Sequence, residues 1–278
     1  MSGARRFAAV ATARHAALLV TAVVVLFPFL WIAAAGFKTQ IALLTGDVLF
    51  TPTLANFAAV LFSTSSDYLL NFGNSLIVGL ASTVLVLIVA TLAAYSLQRL
   101  NWPRWTVHLL LGWSVVFQMI PPITLAGAWY VMFGALGLNN TYVGLILAHT
   151  TLNLPLALWM MTIFIADLPA ELIEAARIDG AETPQILWWI IVPVVRPGLA
   201  AAGVLSFIFS WNEFAVALTL TQRATATVPV AIGKFAQENA VDYTQMAAAS
   251  LLATLPAVIL LLVAQRSIVR GLTAGAVK

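Results

Sequence analysis

Residues Glu171–Pro197 read ELIEAARIDGAETPQILWWIIVPVVRP, and this stretch decides how the rest of the chain is divided. Glu171, Glu174, Arg177, Asp179 and Glu182 fall within twelve residues of a chain that is only 8% charged. A bilayer core cannot hold such a cluster, because each charge there costs at least about 2.5–3.5 kcal/mol. The stretch therefore lies in water or against another protein. Its local chemistry predicts two short helices with a sharp joint. Pro169 suits a first helical turn, where a missing N–H has no partner to lose. Glu171 and Glu174 then lie near the positive end of the helix dipole. Leu172, Ala175, Ala176 and Asp179 recur at i, i+3, i+4 and i+7, so the middle of one face is small. Gly180 predicts a left-handed helix end. Thr183 is the expected next N-cap, with Pro184 as the first helical residue. Pro193 and Pro197 break the second helix ahead of the next apolar run. On local physics alone the stretch is either an amphipathic connector between membrane helices or a surface for a partner.

Outside this stretch the chain resembles hydrocarbon. Of 278 residues, 62% are hydrophobic, and the mean hydropathy is +1.00. Apolar runs longer than eighteen residues exclude a soluble domain and predict membrane-spanning helices. The chain has no cysteine, which rules out disulfides, thiolate metal sites and cysteine nucleophiles. The net charge of +3 comes from few residues placed mainly near span ends, and no basic tract is interleaved with aromatics. The basic balance therefore reports membrane topology rather than nucleic-acid binding.

Six spans are expected, at about 16–37, 74–97, 106–129, 142–165, 199–220 and 246–264, giving an all-α polytopic membrane protein with a single transmembrane domain over 1–278. The first run, Ala16–Phe37, would rise roughly 33 Å as a helix, enough to cross a bilayer core. Arg5-Arg6 ahead of it suggests an export signal, but the run is of spanning length and lacks a convincing cleavage site, so it reads as a retained span. Pro28 is an expected kink, and Pro121-Pro122 interrupts span three. The charged loop occupies about 166–198, between spans four and five. With the N-terminus inside, the cytoplasmic side holds Arg5, Arg6, Arg14, Arg99, Arg104, Arg177, Arg196, Arg266, Arg270 and Lys278. The opposite side holds only Lys38, Arg223 and Lys234. The excess of basic residues places both termini and the charged loop in the cytoplasm.

The wording of the loop adds to this. Glu174-Ala175-Ala176, then Gly180, then Ile191-Val192-Pro193 resembles the EAA loop of ABC-importer permeases, with Val192 where leucine is commonest. The resemblance implies that Glu174, Ala175, Ala176, Asp179, Gly180 and Pro193 belong to a coupling segment docked in a cleft of an ATP-binding subunit. Asn74-Ser75-Leu76, Ala93-Ala94-Tyr95-Ser96, Trp211-Asn212-Glu213-Phe214 and the tail Arg270–Lys278 resemble the carbohydrate-uptake branch, and more narrowly its maltose-type "G" permease subunit. That family implies a sister permease, two ATP-binding cassette subunits and an external sugar-binding protein, in a bacterial or archaeal plasma membrane. ATP and Mg would sit on the ATPase partners, with no cofactor on this chain. Gly271, Leu272, Thr273 and Gly275 are implied as a C-terminal ATPase contact; read locally, the same tail is a frayed terminus.

Within the spans, Glu213 is the one acidic residue, and intramembrane carboxylates face a bundle interior or a wet pathway. Glu213 and Asn212 read as pathway-lining or inter-subunit groups, or as a structural pair with another helix. Trp211 beside them could stack on a sugar ring. His149 and Asn153, one turn apart, read as glue between helices. The residues speak against two other functions. An ion-coupled transporter built on Glu213 would show inverted repeats, which are not evident. An intramembrane enzyme would need a motif such as HExxH or GxSxG, and neither occurs. The GxxxxGK[ST] phosphate loop is also missing, so by that route the chain does not hydrolyse ATP.

Overall fold

A computed structural model describes the backbone of residues 2–236 and 241–273, and side-chain surroundings over 10–236 and 241–265. Among the described residues the regular structure is helical. The elements are α1 (Ser2–Gly36), α2 (Gln40–Leu44), α3 (Ala55–Phe62), α4 (Tyr68–Arg99), α5 (Arg104–Gln118), α6 (Pro122–Ala135), α7 (Tyr142–Ala166) and α8 (Ala170–Ile178). They continue with α9 (Thr183–Ile186), a π-helical turn (Leu187–Ile191), α10 (Val192–Val194), α11 (Arg196–Trp211), α12 (Ala215–Leu220), α13 (Val228–Lys234) and α14 (Tyr243–Thr273).

Four described helices are long and apolar enough to cross a bilayer: Val10–Gly36, Tyr68–Arg99, Tyr142–Ala166 and Tyr243–Gln265. Two bent pairs complete six spans when each pair counts once: Arg104–Gln118 with Pro122–Ala135, bent by 98°, and Thr183–Val194 with Arg196–Trp211, bent by 79°. Spans one, two, four and six thus stand where the hydropathy put them. Spans three and five differ, since neither is one helix. In span three, Pro121 starts a new helix with Pro122 in its first turn, because neither residue can supply the N–H that would continue α5. Span five stops at Trp211, and a separate helix begins at Ala215. The first span begins earlier than predicted, since the alanine-rich stretch before Ala16 favours helix. Pro28, Pro155 and Pro256 all sit inside helices.

The chain divides into two units by internal contacts: 1–68 with 232–254, and 69–231 with 255–278. In the first, the Asn56 amide donates to the carbonyls of Gly36 and Lys38, both at 2.8 Å. Thr244 donates back to Asn56 at 3.1 Å, and the Tyr68 hydroxyl donates to Ala249 at 2.8 Å. These bonds seat the start of α14 against the α1–α3 segment.

The second unit carries the core on which the charged loop rests. Val86, Ala90, Ala94 and Tyr95 of α4 pack with Ala157, Met161 and Ile165 of α7, and with Ile173, Ala176, Ile186, Leu187 and Ile191 of the charged loop. Here the Asn74-Ser75 pair gains a physical role. The Asn74 amide donates to the carbonyls of Ala224 (3.1 Å) and Ala226 (2.9 Å) and accepts from the Tyr142 hydroxyl (2.6 Å). Ser75 accepts the N–H of Val228 at 2.8 Å. Asn140, at φ 57°, accepts from the Gln222 N–H and the Thr225 hydroxyl. Two polar side chains at the head of α4 and one before α7 thus hold the segment that follows α12.

Close packing also fixes the foot of span five. Gly198 of α11 is buried, and a Cβ there would collide with the Phe164 ring of α7. Gly198→Ala must push the base of that ring aside, so a loss of about 1–3 kcal/mol is expected. A lowered unfolding midpoint of the detergent-purified protein, against the parent chain, is the measurement that checks it.

Candidate functional site

The charged loop builds its surface from a short, well-terminated helix. Pro169 precedes α8, Glu171 lies in its first turn and Arg177 in its last, as the dipole favours. Ile173 and Ala176 turn inward to the core, whereas Glu171, Leu172, Glu174, Ala175, Ile178 and Asp179 are exposed. Ile178 is the extreme case, an apolar side chain 86% exposed. The face predicted as one small stripe is therefore split: Ala176 anchors the helix, and Ala175 with Leu172 and Asp179 looks outward. Gly180 takes φ +83°, as the left-handed end requires. The Ala181 N–H returns to Ala176 and the Gly180 N–H to Arg177, which is the Schellman arrangement.

The second helix departs from the expected detail. Its N-cap is Glu182 rather than Thr183; the Glu182 N–H donates to the Gln185 side chain at 2.8 Å, and Pro184 lies one residue further into the first turn. The Glu182 side chain acts as the other half of a capping box, a pairing with Gln185 three residues on that prevails over the Thr183-Pro184 signal. Pro193 lies in the first turn of α10, and the chain turns at Val195 into α11. Arg99 joins this loop to span two, since its guanidinium donates to the carbonyls of Ile165 and Leu168 at the end of α7. The sequence reading gave Arg99 a role in topology alone. Of the tail residues, Gly271, Leu272 and Thr273 fall in the last turn of α14, with side chains outside the described range, and Gly275 lies outside the described residues.

Glu213 sits in the break of span five. One carboxylate oxygen accepts the Val216 N–H at 2.8 Å and the other the Ala217 N–H at 2.9 Å. The carboxylate thus closes the N-terminus of α12, where the first N–H groups have no helical acceptor. His149 of α7 brings Nε2 to 3.5 Å from the same carboxylate, and its Nδ1 lies 2.6 Å from the Ser210 hydroxyl. Ser82 of α4 donates to Ser210 at 3.1 Å. The Ser82 hydroxyl also donates to the Gly79 carbonyl at 3.2 Å, so its one hydrogen is shared between two acceptors. This buried chain joins α4, α7, α11 and α12. Sequence reading proposed Glu213 as a paired carboxylate among other roles, but it did not find His149 as the partner. The signal lay in two polar groups in neighbouring apolar spans, with nothing to give their register.

Asn212 is exposed and donates to the Ile208 carbonyl at 2.8 Å. Trp211, by contrast, is 3% exposed. Its ring lies edge-on to Phe72 at 5.4 Å and stacks on Phe207 at 5.6 Å. Those rings fill the space in which a sugar ring was expected to stack. Asn212 and Glu213 line a cleft that Trp211 does not reach, together with Gln118 and Asn153. Gln118 had drawn no attention in the sequence.

The family model described as binding-protein-dependent transport system inner membrane component matches residues 87–274. The trehalose transport system permease protein SugB of Mycobacterium tuberculosis is 36% identical over 286 residues, spanning 99% of each chain. The trehalose/maltose transport system permease protein MalG of Thermococcus litoralis is 34% identical over 264 residues, 94% of each chain. A chain from the crystal structure of a bacterial ABC transporter involved in the import of the acidic polysaccharide alginate superposes with a TM-score of 0.79 at 21% identity, covering 96% of this chain and 98% of that one. At that identity the likeness bears on fold alone.

Glu213→Gln separates charge from shape. It keeps the length of the side chain but turns an NH2 group toward one of two backbone N–H donors. A buried donor left unpaired costs about 1–3 kcal/mol, so the detergent-purified variant is expected to unfold at a lower temperature than the parent. An unchanged midpoint would remove the carboxylate from its capping role.

Proposed function

Since this chain belongs to the family of binding-protein-dependent transport system inner membrane components, we propose that it is the permease subunit of an ATP-driven importer for a carbohydrate, whether sugar, oligosaccharide or related polyol. It is an ABC-transporter permease, a multi-pass membrane protein and the non-catalytic part of its machine. The carbohydrate assignment rests on relatives named for trehalose, maltose and melibiose transport. The finer reading gives it a sister permease, which shares the pathway, and two ATP-binding cassette subunits that carry ATP and Mg. An external sugar-binding protein delivers the load. Both termini and the charged loop face the cytoplasm, in keeping with the distribution of Arg and Lys.

The observation that carries this reading is the division of α8 into two faces. One face is part of the core that holds α4 and α7; the other is exposed and mixes small, apolar and acidic groups. A partner that grips Ala175, Leu172 and Ile178 grips a lever already fixed to two spans. Displacing α8 as a body then moves the cytoplasmic ends of α4 and α7, because Arg99 and the Ile173–Ala176 contacts hold them together. Packed elements of this kind shift between discrete arrangements rather than deform smoothly. Glu174 and Asp179 on the exposed face offer carboxylates to basic groups of the partner.

The direct test is gentle purification of the chain from its own membranes and mass spectrometry of what accompanies it. A second permease and an ATP-binding subunit are expected; the chain alone, with ion-driven uptake in liposomes, would overturn the reading. Coupling is tested at Gly180. Gly180→Pro fixes φ near −65° and removes the N–H bonded to Arg177. Sugar-stimulated ATPase of the reconstituted complex is expected to fall at least about tenfold, the size of a 1.4 kcal/mol coupling loss. Normal stimulation would free α8 from that role.

A further inference from the structure

Two helices stop short within the apolar spans of this chain. α5 ends at Gln118 ahead of Pro121-Pro122, and α11 ends at Trp211 ahead of Asn212-Glu213-Phe214. Both breaks line one cleft of about 510 Å³. Phe117 and Phe209 supply aromatic wall, while Gln118, Asn153, Asn212 and Glu213 supply its polar groups. Irregular backbone at membrane depth is tolerated only where protein covers it or water fills the space beside it. Polar side chains there obey the same rule. Lipid is therefore the wrong neighbour for this cleft.

The arrangement has a definite chemistry. One N–H of the Asn212 amide is given to Ile208, which leaves its second N–H and its carbonyl oxygen on offer. Oε1 of Glu213 takes the Val216 N–H and keeps a further lone pair, whereas Oε2 takes the Ala217 N–H and faces His149 Nε2. Gln118 and Asn153 add amides with both donors and acceptors. Ring faces on one side with amides and a carboxylate on the other suit a sugar, which has C–H faces and hydroxyl edges. The volume lies within the about 300–1,000 Å³ of small-molecule sites. Glu213 is the single charged residue of the cleft lining, so an anionic ligand meets repulsion there and a neutral one does not.

We propose that this cleft is a substrate subsite carried by this chain itself, which holds a ring of a neutral carbohydrate during passage. Gln118, Asn153 and Asn212 bind its hydroxyls and Phe117 and Phe209 its apolar faces. The assignment rests on the sugar-permease reading and adds to it the residues and the charge type of the load.

The test uses the complete transporter, with both permeases, the ATPase and the binding protein, in liposomes offered trehalose, maltose, raffinose and an oligomer of alginate. A neutral sugar is expected to enter and the alginate oligomer to be refused. Gln118→Ala, Asn153→Ala and Asn212→Ala should each lower uptake per assembled complex by about three- to tenfold, the effect of losing one hydrogen bond. Gln118 and Asn212 are exposed, so their variants keep the test decisive should the buried Asn153→Ala fail to assemble. Uptake within twofold of the parent in both exposed variants would overturn the subsite. So would loss of the sister permease on purification with normal uptake by the complexes that remain, which would make the cleft a subunit contact. A parent complex that moves none of these sugars with ATP fails before any substitution, and it is then the importer reading that falls.

Discussion

A helix that stops inside an apolar bundle leaves N–H groups without acceptors, and the carboxylate of Glu213 answers two of them. Much of the second unit depends on that pair of hydrogen bonds. Without them α12 would begin with orphan donors, and span five would have to run on as a continuous helix. Hydrogen bonds to a charged group are worth about 1.5–3 kcal/mol each, and together they offset much of the cost of holding a carboxylate out of bulk water. His149 reaches the same carboxylate and, through Ser210, ties it to Ser82. One acidic side chain thus starts α12 and, through His149 and Ser210, ties it to α7, α11 and α4.

The same reasoning explains why the motif residues fall into different physical classes. Ala176 is small because it lies under the loop in the shared core, whereas Ala175 is exposed and small on the outer face. Asn74 and Ser75 have no part in the loop; they satisfy carbonyl and N–H groups of residues 224–228, a segment that would otherwise present bare backbone to apolar neighbours. Arg99 does the equivalent at the other end of α4, where the carbonyls of Ile165 and Leu168 end a helix. The polar residues of α4 therefore serve backbone groups at both of its ends.

Much of this was legible in the chain. Span four is expected at 142–165 and found at Tyr142–Ala166, and span two differs only by extra turns. Such spans rest on apolar length, which hydropathy reads directly. The joint at Gly180 was legible because one residue type serves that conformation. The breaks were harder. Pro121-Pro122 signals an interruption but not a turn of 98°. At Asn212-Glu213 the flanking residues favour helix, and only the bond from the carboxylate to Val216 and Ala217 selects a break. The Glu182 cap was hidden by the stronger Thr-Pro signal beside it. Trp211 was misjudged for a similar reason: sequence shows which residues adjoin it in the chain, not that Phe72 and Phe207 enclose it. Partners between helices, such as His149 and Glu213, depend on rotations that a single sequence does not fix.

The turn after α8 has a further consequence. Its hydrogen bonds, Ala181 to Ala176 and Gly180 to Arg177, close within the loop's own backbone. Ile173 and Ala176 are seated at the same time on the chain's own core. The outward face is therefore shaped before any other protein arrives. Ordering an interface on contact costs about 0.5–1.5 kcal/mol for each immobilised side chain, and short residues such as Ala175 have almost no rotamer freedom to lose. Any association through this face would then be governed by encounter and fit rather than by folding.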